Sequence, residues 1–485
     1  MSFKKRMKEY GNNLISQRVK NPYYTGANAK KNIFPLWAII TIPSTFVTLS
    51  IIVTIVLVNS FGKNQKNYSN KTLLERRALN KPQKPVNSDF IYLSYDYIDS
   101  INTFSSQLFS NINDASIASI DKNDDNVIVS PLSVINSVYS LYDASAGTTR
   151  NELATALNID ETMFDHLECI KTTINNNTID YLNEDINLSV QSRVSNALVI
   201  DSSIKDDIKK SYIDLVTTNY YSNIYYSESS NNDVAAIIEE YSSKETNDYL
   251  STKSLLNDSI NLGKVNFFNT TYFQTNLFGM FESETSTGTF NNNDGSISNN
   301  INYFSVSIGN FHVIDEDKYY VFYIPIPLKE LCYYFNFILP KEGYSLSDIN
   351  INTLFSTNDF TNPKTVKANY SILLPSFTSS NVYNLSSILQ KMGVSKLFTS
   401  NNEDLSGISN EGKINKVDNV IYAAGIGVSP DGISDPPTAP KQKYNPAIHY
   451  IQTLPTYDFV LNKPFFYSIT DCQNTPIFVG KIVNM

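Results

Sequence analysis

Residues 33–58 run for 26 positions without a single charge, IFPLWAIITIPSTFVTLSIIVTIVLV. A core helix of that length normally carries polar relief on one face, whereas about 20 apolar residues suffice to cross a bilayer. The stretch therefore predicts a transmembrane helix. Pro43 and the threonines are compatible with one, because hydroxyls re-satisfy freed backbone groups. A secretory signal core would be shorter and would lie nearer the first Met. Here a tail of residues 1–32 precedes the run, with Lys4, Lys5, Arg6, Lys8, Arg18, Lys20, Lys30 and Lys31. Lys63, Lys66, Lys71, Arg76 and Arg77 follow it, so the positive-inside bias is slight. Together with the large segment behind it, the expectation is a cytoplasmic tail and an extracellular or lumenal body, retained or secreted after cleavage. Residues 59–90, with Asn, Lys, Pro82 and Pro85, read as a linker. Within it Arg76-Arg77 is either a peptidase site or an ordinary solvated charge pair.

The remainder, residues 91–485, alternates helical and strand patterns without a second linker or a repeat. With 41% hydrophobic and 12% aromatic residues, the chain can bury a large core. Its 32 Tyr and 27 Phe against 17 Gly favour sheet-rich structure. A net charge of −9 with dispersed Lys and Arg argues against a nucleic-acid partner. Cys169, Cys332 and Cys472 allow at most one bridge and make no zinc set. Asp121–Asn126 (DKNDDN) begins like a calcium loop, but lacks the turn glycine and has Leu132 where a bidentate Glu belongs. His166, His312 and His449 stand in no nucleophile or metal pattern, and no GxSxG element is present. The expectation is a non-enzymatic, monomeric domain without cofactor or metal. Sequons at Asn67 and Asn70 are the accessible glycan acceptors, whereas Asn269 falls on a predicted strand.

Asn126–Leu157 (NVIVSPLSVINSVYSLYDASAGTTRNELATAL) is the first strong local pattern. A short apolar run ends at Ser130-Pro131, and Pro suits the first helical position. Val134, Val138 and Leu141 continue at helical spacing. Thr148 is placed to cap the next helix, with Glu152 in its first turn.

This stretch resembles the serpin helix that follows an SPxS element. Similar segments follow in the family's order. Ser195–Ile200 (SNALVI) is similar to the NALF strand, Ile238–Thr246 (IEEYSSKET) to the helix ending in WVExxT, and Val265–Phe273 (VNFFNTTYF) to the VNAIYF strand. Tyr323–Pro340 and Asn462–Asn484 resemble later strands, and Leu374–Ser409 parallels the LPKF…ADLSGI block almost continuously. The resemblance spans residues 91–485 and implies an α+β serpin fold. That fold has three β-sheets, eight or nine helices and an exposed reactive-centre loop.

In that family a target protease, usually of the serine type, cleaves the loop. The loop then inserts as a new central strand of the main sheet. Asn415–Gly432 (NKVDNVIYAAGIGVSPDG) resembles the strand and hinge that precede the loop, with Gly432 as the hinge glycine. Where the inhibitory pattern has a small hydroxyl residue and alanines, this chain has Ile433, Ser434, Asp435, Pro436 and Pro437. Proline has no N–H for a central strand, and a buried unpaired carboxylate costs on the order of several kcal/mol. Counting forward from Gly432 places the scissile bond at Pro446-Ala447. Counting back from Asn462 places it at Thr453-Leu454. Lys441 and Lys443 are either a lure for a trypsin-like enzyme or plain solvated lysines. Ser130, Ser133 and Asn269 match the family's polar residues beneath the opening sheet. The family's histidine there aligns with Tyr422, and its tryptophan at the start of insertion aligns with Leu277. The resemblance thus leaves two functions open: an inhibitor of a serine-type endopeptidase, or a non-inhibitory binding module or protease substrate.

Overall fold

The computed structural model describes residues 72–485 apart from 86–88, 114–124, 160–164, 184–187, 229–230, 249, 251–261, 277–284, 327–332, 356–361, 400–402, 410–412 and 430–452. The tail and the apolar run at 33–58 lie outside the described residues. Among those described, no helix is long and apolar enough to cross a membrane.

Eight α-helices are described: α1 Leu73–Arg77, α2 Tyr95–Asn113, α3 Pro131–Asp143, α4 Gly147–Leu157, α5 His166–Asn177, α6 Lys210–Thr218, α7 Asn231–Glu245 and α8 Ser386–Lys391. The main sheet is built from β2 (Ile179–Asn183), β3 (Leu188–Asp201), β4 (Asn223–Ser227), β5 (Val265–Asn276), β11 (Phe377–Asn384) and β12 (Asn419–Ser429). Its order is β11-β12-β5-β3-β2, with β4 also on β3. The second network joins β1 (Val127–Val129), β6 (Thr285–Asn291), β7 (Ile297–Asp315), β8 (Tyr319–Ile326), β9 (Tyr333–Pro340), β10 (Thr365–Pro375), β13 (Thr456–Val460), β14 (Phe465–Asp471) and β15 (Pro476–Ile482). The second and third expected sheets share one ladder system among the described residues, because β7 serves both. It pairs with β10 and β6 along its length and with β8 at Ile314 and Asp315.

Local rules explain much of this. Ser130 caps α3, its Oγ accepting from the Ser133 N–H at 3.3 Å, and Pro131 opens the helix where its missing donor costs nothing. The next helix departs from expectation: Thr148 does not cap α4. Gly147 occupies its first position at φ +53°, and Asp404, distant in sequence, accepts from the Thr149 N–H at 3.0 Å. A Cβ on Gly147 would lie 2.5 Å from that carboxylate, so the turn is closed by a long-range contact that only glycine admits. Glu152 likewise reaches away from its own helix, accepting from Ser395 N and Lys396 N at 2.8 and 2.7 Å.

Tyrosines are the largest fully buried side chains, and several of their hydroxyls donate to backbone carbonyls. Tyr370 donates to Tyr323 O at 2.6 Å, Tyr333 to Asn176 O at 2.7 Å and Tyr241 to Asn196 O at 2.9 Å. The expected linker 59–90 is shorter than composition suggested, because from Thr72 onward it is folded onto the body. The compact unit begins at Lys71. Arg77 is no loose processing signal: it pairs with Glu228 and Asp233 and lies over the ring of Tyr226.

The β14–β15 hairpin turns on Asp471, which is fully buried. Its Oδ1 accepts from the N–H groups of Gln473 and Thr475, each at 2.9 Å, while Oδ2 has no partner. Burial outweighs those bonds and pushes the carboxyl up to about 7. The folded state thus holds a proton that the unfolded chain releases near pH 4. Its stabilising contribution is full below about pH 4 and is lost as pH rises towards 7. Asp471→Asn is expected to remove that fall. Identical slopes of denaturation midpoint against pH in the two proteins would contradict the assignment.

Candidate functional site

The site predicted beneath the opening sheet is built around one seam. β5 and β12 run parallel and pair in register from Asn419↔Asn266 to Ser429↔Asn276. Tyr422 is the register partner of Asn269, and Asn269 is in turn the partner of Asn196 on β3. Three polar side chains therefore stand in one buried row across three strands, Tyr422 and Asn269 with no exposure and Asn196 at 4%.

Helix α3 forms the floor under this row. The Tyr422 hydroxyl accepts from the Ser130 N–H, a donor that a helix start leaves without an intrahelical partner. Asn269 shares its amide hydrogens among Ser133 O at 2.8 Å, Ser137 Oγ at 2.6 Å and Asn196 Oδ1 at 3.0 Å. Ser137 donates onward to Asn196 Oδ1 at 3.2 Å. Burial holds the Tyr422 phenol well above its ordinary range, so it stays neutral and keeps its bond. The first two turns of α3 are thus tied to both sides of the seam, to β12 through Tyr422 and to β5 through Asn269. Parting β5 from β12 must release one tie or stretch it. Of the four predicted residues, Ser130 is bonded to Tyr422 and Asn269 to the backbone of Ser133, whose Oγ has no partner. Sequence reading missed Ser137 and Asn196. Asn196 lies inside the SNALVI element and could have been found from its register with Asn269.

On the opposite face of the sheet, α7 packs against β3, β4 and β5. Val234, Ile237, Ile238 and Tyr241 pack with Phe268 of β5 and with Ile421 and Ala423 of β12 in a separate apolar cluster.

β12 ends at Ser429, and the described chain resumes at Thr453 before β13. The hinge Gly432, Ile433, Ser434, Asp435, Pro436 and Pro437 lies outside the described residues, as do Pro446, Ala447, Leu277 and the two lysines. Thr453 is exposed and Leu454 half-buried. Directly behind them the Pro455 carbonyl accepts from Asn369 N at 2.9 Å, and β13 then pairs parallel to β10. The segment that follows residues 430–452 is therefore moored to the second network, whose strand β10 passes through Ser376 into β11 at the edge of the main sheet.

Signals set aside on sequence grounds take structural places. His166 Nε2 meets Asp143 Oδ1 at 2.7 Å and Tyr220 donates to Asp143 Oδ2 at 2.5 Å, tying α3 to α5. Asn126 binds the C-terminal strand, accepting from Val483 N at 2.7 Å. Cys169 and Cys472 are half-buried, and Cys332 lies outside the described residues. The buried amide of Asn269 leaves no room for a glycan.

A family model described as Serpin (serine protease inhibitor) matches residues 99–485. The chain belongs to the serpin family. This serpin is 24% identical to Serpin A3-1 of Bos taurus over 372 residues, 74% of this chain and 83% of the relative. It is 26% identical to an alpha-1-antitrypsin-like protein of Tamias sibiricus over 151 residues, 30% of this chain and 34% of the relative. That match spans about a third of the relative's length. Among solved structures, the native thermophilic serpin tengpin superposes with a TM-score of 0.62 at 18% identity, covering 83% of this chain and 97% of that one. A thyroxine-binding globulin in complex with thyroxine also gives 0.62 at 18%, covering 80% and 99%. These likenesses establish the serpin fold, and the family is one of protease inhibitors rather than enzymes.

Proposed function

We propose that this serpin offers residues 430–452 as bait to a serine-type endopeptidase and traps it by inserting the cleaved loop between β5 and β12. The observation that carries the reading is the buried Tyr422–Asn269–Asn196 row, tied from both sides of one parallel seam to α3. A purely static sheet gains little from polar groups at its centre, where each must be matched by a partner. The arrangement suits a sheet that opens along a set line and closes again.

The test is to incubate the protein with trypsin-, chymotrypsin- and subtilisin-like proteases. A covalent complex that survives denaturing electrophoresis is expected. Cleavage without a complex, and without a gain in heat stability, would sink this reading and leave the second one. That second reading, a non-inhibitory binding module or protease substrate, is favoured by Asp435, Pro436 and Pro437 alone.

The same proposal places the domain outside a membrane that residues 33–58 cross once, with the tail in the cytoplasm. Any release by cleavage would fall before the packed segment that starts at Thr72. Full-length chain is expected to stay in the membrane pellet after alkaline extraction, and its appearance in the supernatant would remove the anchor.

A further inference from the structure

Residues 72–80 do more than connect. Thr72 and Glu75 form a reciprocal capping box that sets α1, although five residues are too few for a helix to persist unaided. What holds the segment is the body. Leu74, 4% exposed, packs into the apolar cluster beneath α7 that also contains Phe268, Ile421 and Ala423, and its N–H reaches Glu240 Oε1 of α7 at 3.4 Å. The Arg77 guanidinium bridges Glu228, just past β4, and Asp233 in the first turn of α7 at 3.5 Å. Ala78 makes an antiparallel bridge to Tyr225, and Leu79 N donates to Ile224 O at 2.8 Å. Asn80 completes the edge, its Oδ1 accepting from Ile224 N at 2.7 Å and its Nδ2 donating to Ser222 O at 2.8 Å.

These contacts join three things, the first two of them on β5's side of the seam. One is α7, another is the outer edge of β4, and the third is the apolar cluster lying over the β5–β12 seam. Phe268 belongs to one side of that seam and Ile421 and Ala423 to the other. Separating the strands divides this cluster unless α7 shifts with one half. A shift of α7 must break its Arg77–Asp233 tie or draw Leu74 out of its packing.

We propose that residues 72–80 are a clamp that holds α7 to β4 and onto the apolar cluster that spans the β5–β12 seam, so that docking of the clamp sets how often the seam opens. The clamp rests on the proposed role of the seam only for its consequence on inhibition; the opening is measured without any protease.

The experiment is hydrogen exchange on the full chain in detergent, comparing wild type with an Arg77→Ala, Asn80→Ala pair and separately with Leu74→Ala. Exchange is read on peptides from 265–276 and 419–429, with 465–482 as the reference. Exchange at the seam is expected to rise by about 10-fold or more in both variants while the β14–β15 reference stays unchanged. Unchanged exchange at the seam would overturn the clamp, and so would an equal rise in seam and reference, which marks general destabilisation. Should Leu74→Ala fail to fold, the polar pair carries the test alone. Failure of the trapping reading shows as a missing protease complex with this exchange difference intact, so the two outcomes are separable.

Discussion

Replacing Asp435, Pro436 and Pro437 with alanines should greatly enlarge the gain of heat stability that follows loop cleavage. A strand placed between β5 and β12 uses both edges of its backbone, so every residue that enters offers an N–H and a C=O to a neighbour. Ile433 and Ser434 can do so. Asp435 would carry a carboxylate into the interior of the sheet, and Pro436 and Pro437 would leave two acceptors without donors. In the wild type, insertion is therefore expected to be slowed at Asp435 and to form fewer hydrogen bonds across the seam. In the alanine variant it can run the length of the seam, each hydrogen bond contributing about 0.5–1.5 kcal/mol net. The expected rise in midpoint after cleavage is roughly 10 °C or more in the variant, and smaller but measurable in the cleaved wild type. Heat denaturation of intact and cleaved forms of both proteins measures it. A wild type that already gains as much as the variant would show that the Asp-Pro-Pro stretch is no obstacle.

The second large effect lies under the seam. Asn269→Ala removes one amide that serves Ser133 O, Ser137 Oγ and Asn196 Oδ1, and leaves those buried groups short of a donor. The cost is expected at about 2–4 kcal/mol, because an orphaned buried polar group loses its full desolvation energy. Tyr422→Phe keeps the ring and removes only the acceptor for the Ser130 N–H, which predicts a smaller loss of about 1–3 kcal/mol. The two residues sit on opposite sides of the seam and share α3. Their effects should therefore fall short of additivity in the double variant, since one broken tie already frees the floor. Denaturant midpoints of the four proteins decide this. Strict additivity would mean that the row is three separate contacts and not one coupled device.

Much of this was legible in the residues. The SPxS helix start follows from capping chemistry and from the fixed φ of proline, both local rules. The runs that became β3, β5, β8, β9, β14 and β15 announce themselves by apolar and aromatic content, and their order carries the resemblance to serpins. The obstacle in the hinge is legible too, since a missing N–H is a property of proline wherever it sits. Other features were invisible because they arise between segments far apart in the chain. Asp404 closes the turn at Gly147, where Thr148 had been expected to cap. Thr72 to Asn80 reads as a polar linker by composition, yet β4 lends it a strand edge and the cluster under α7 takes up Leu74.

By itself the sequence determined an uncharged run long enough to span a bilayer, a serpin body behind it, and an Asp-Pro-Pro stretch that resists a central strand. Only the tertiary structure decided that Tyr422, Asn269 and Asn196 share one buried row, because strand register brings together residues that no local spacing relates. It decided as well that the start of the body is bolted to α7. Such placements depend on which surfaces meet once the core has formed, and the free energy that fixes them belongs to the contacts rather than to either segment alone.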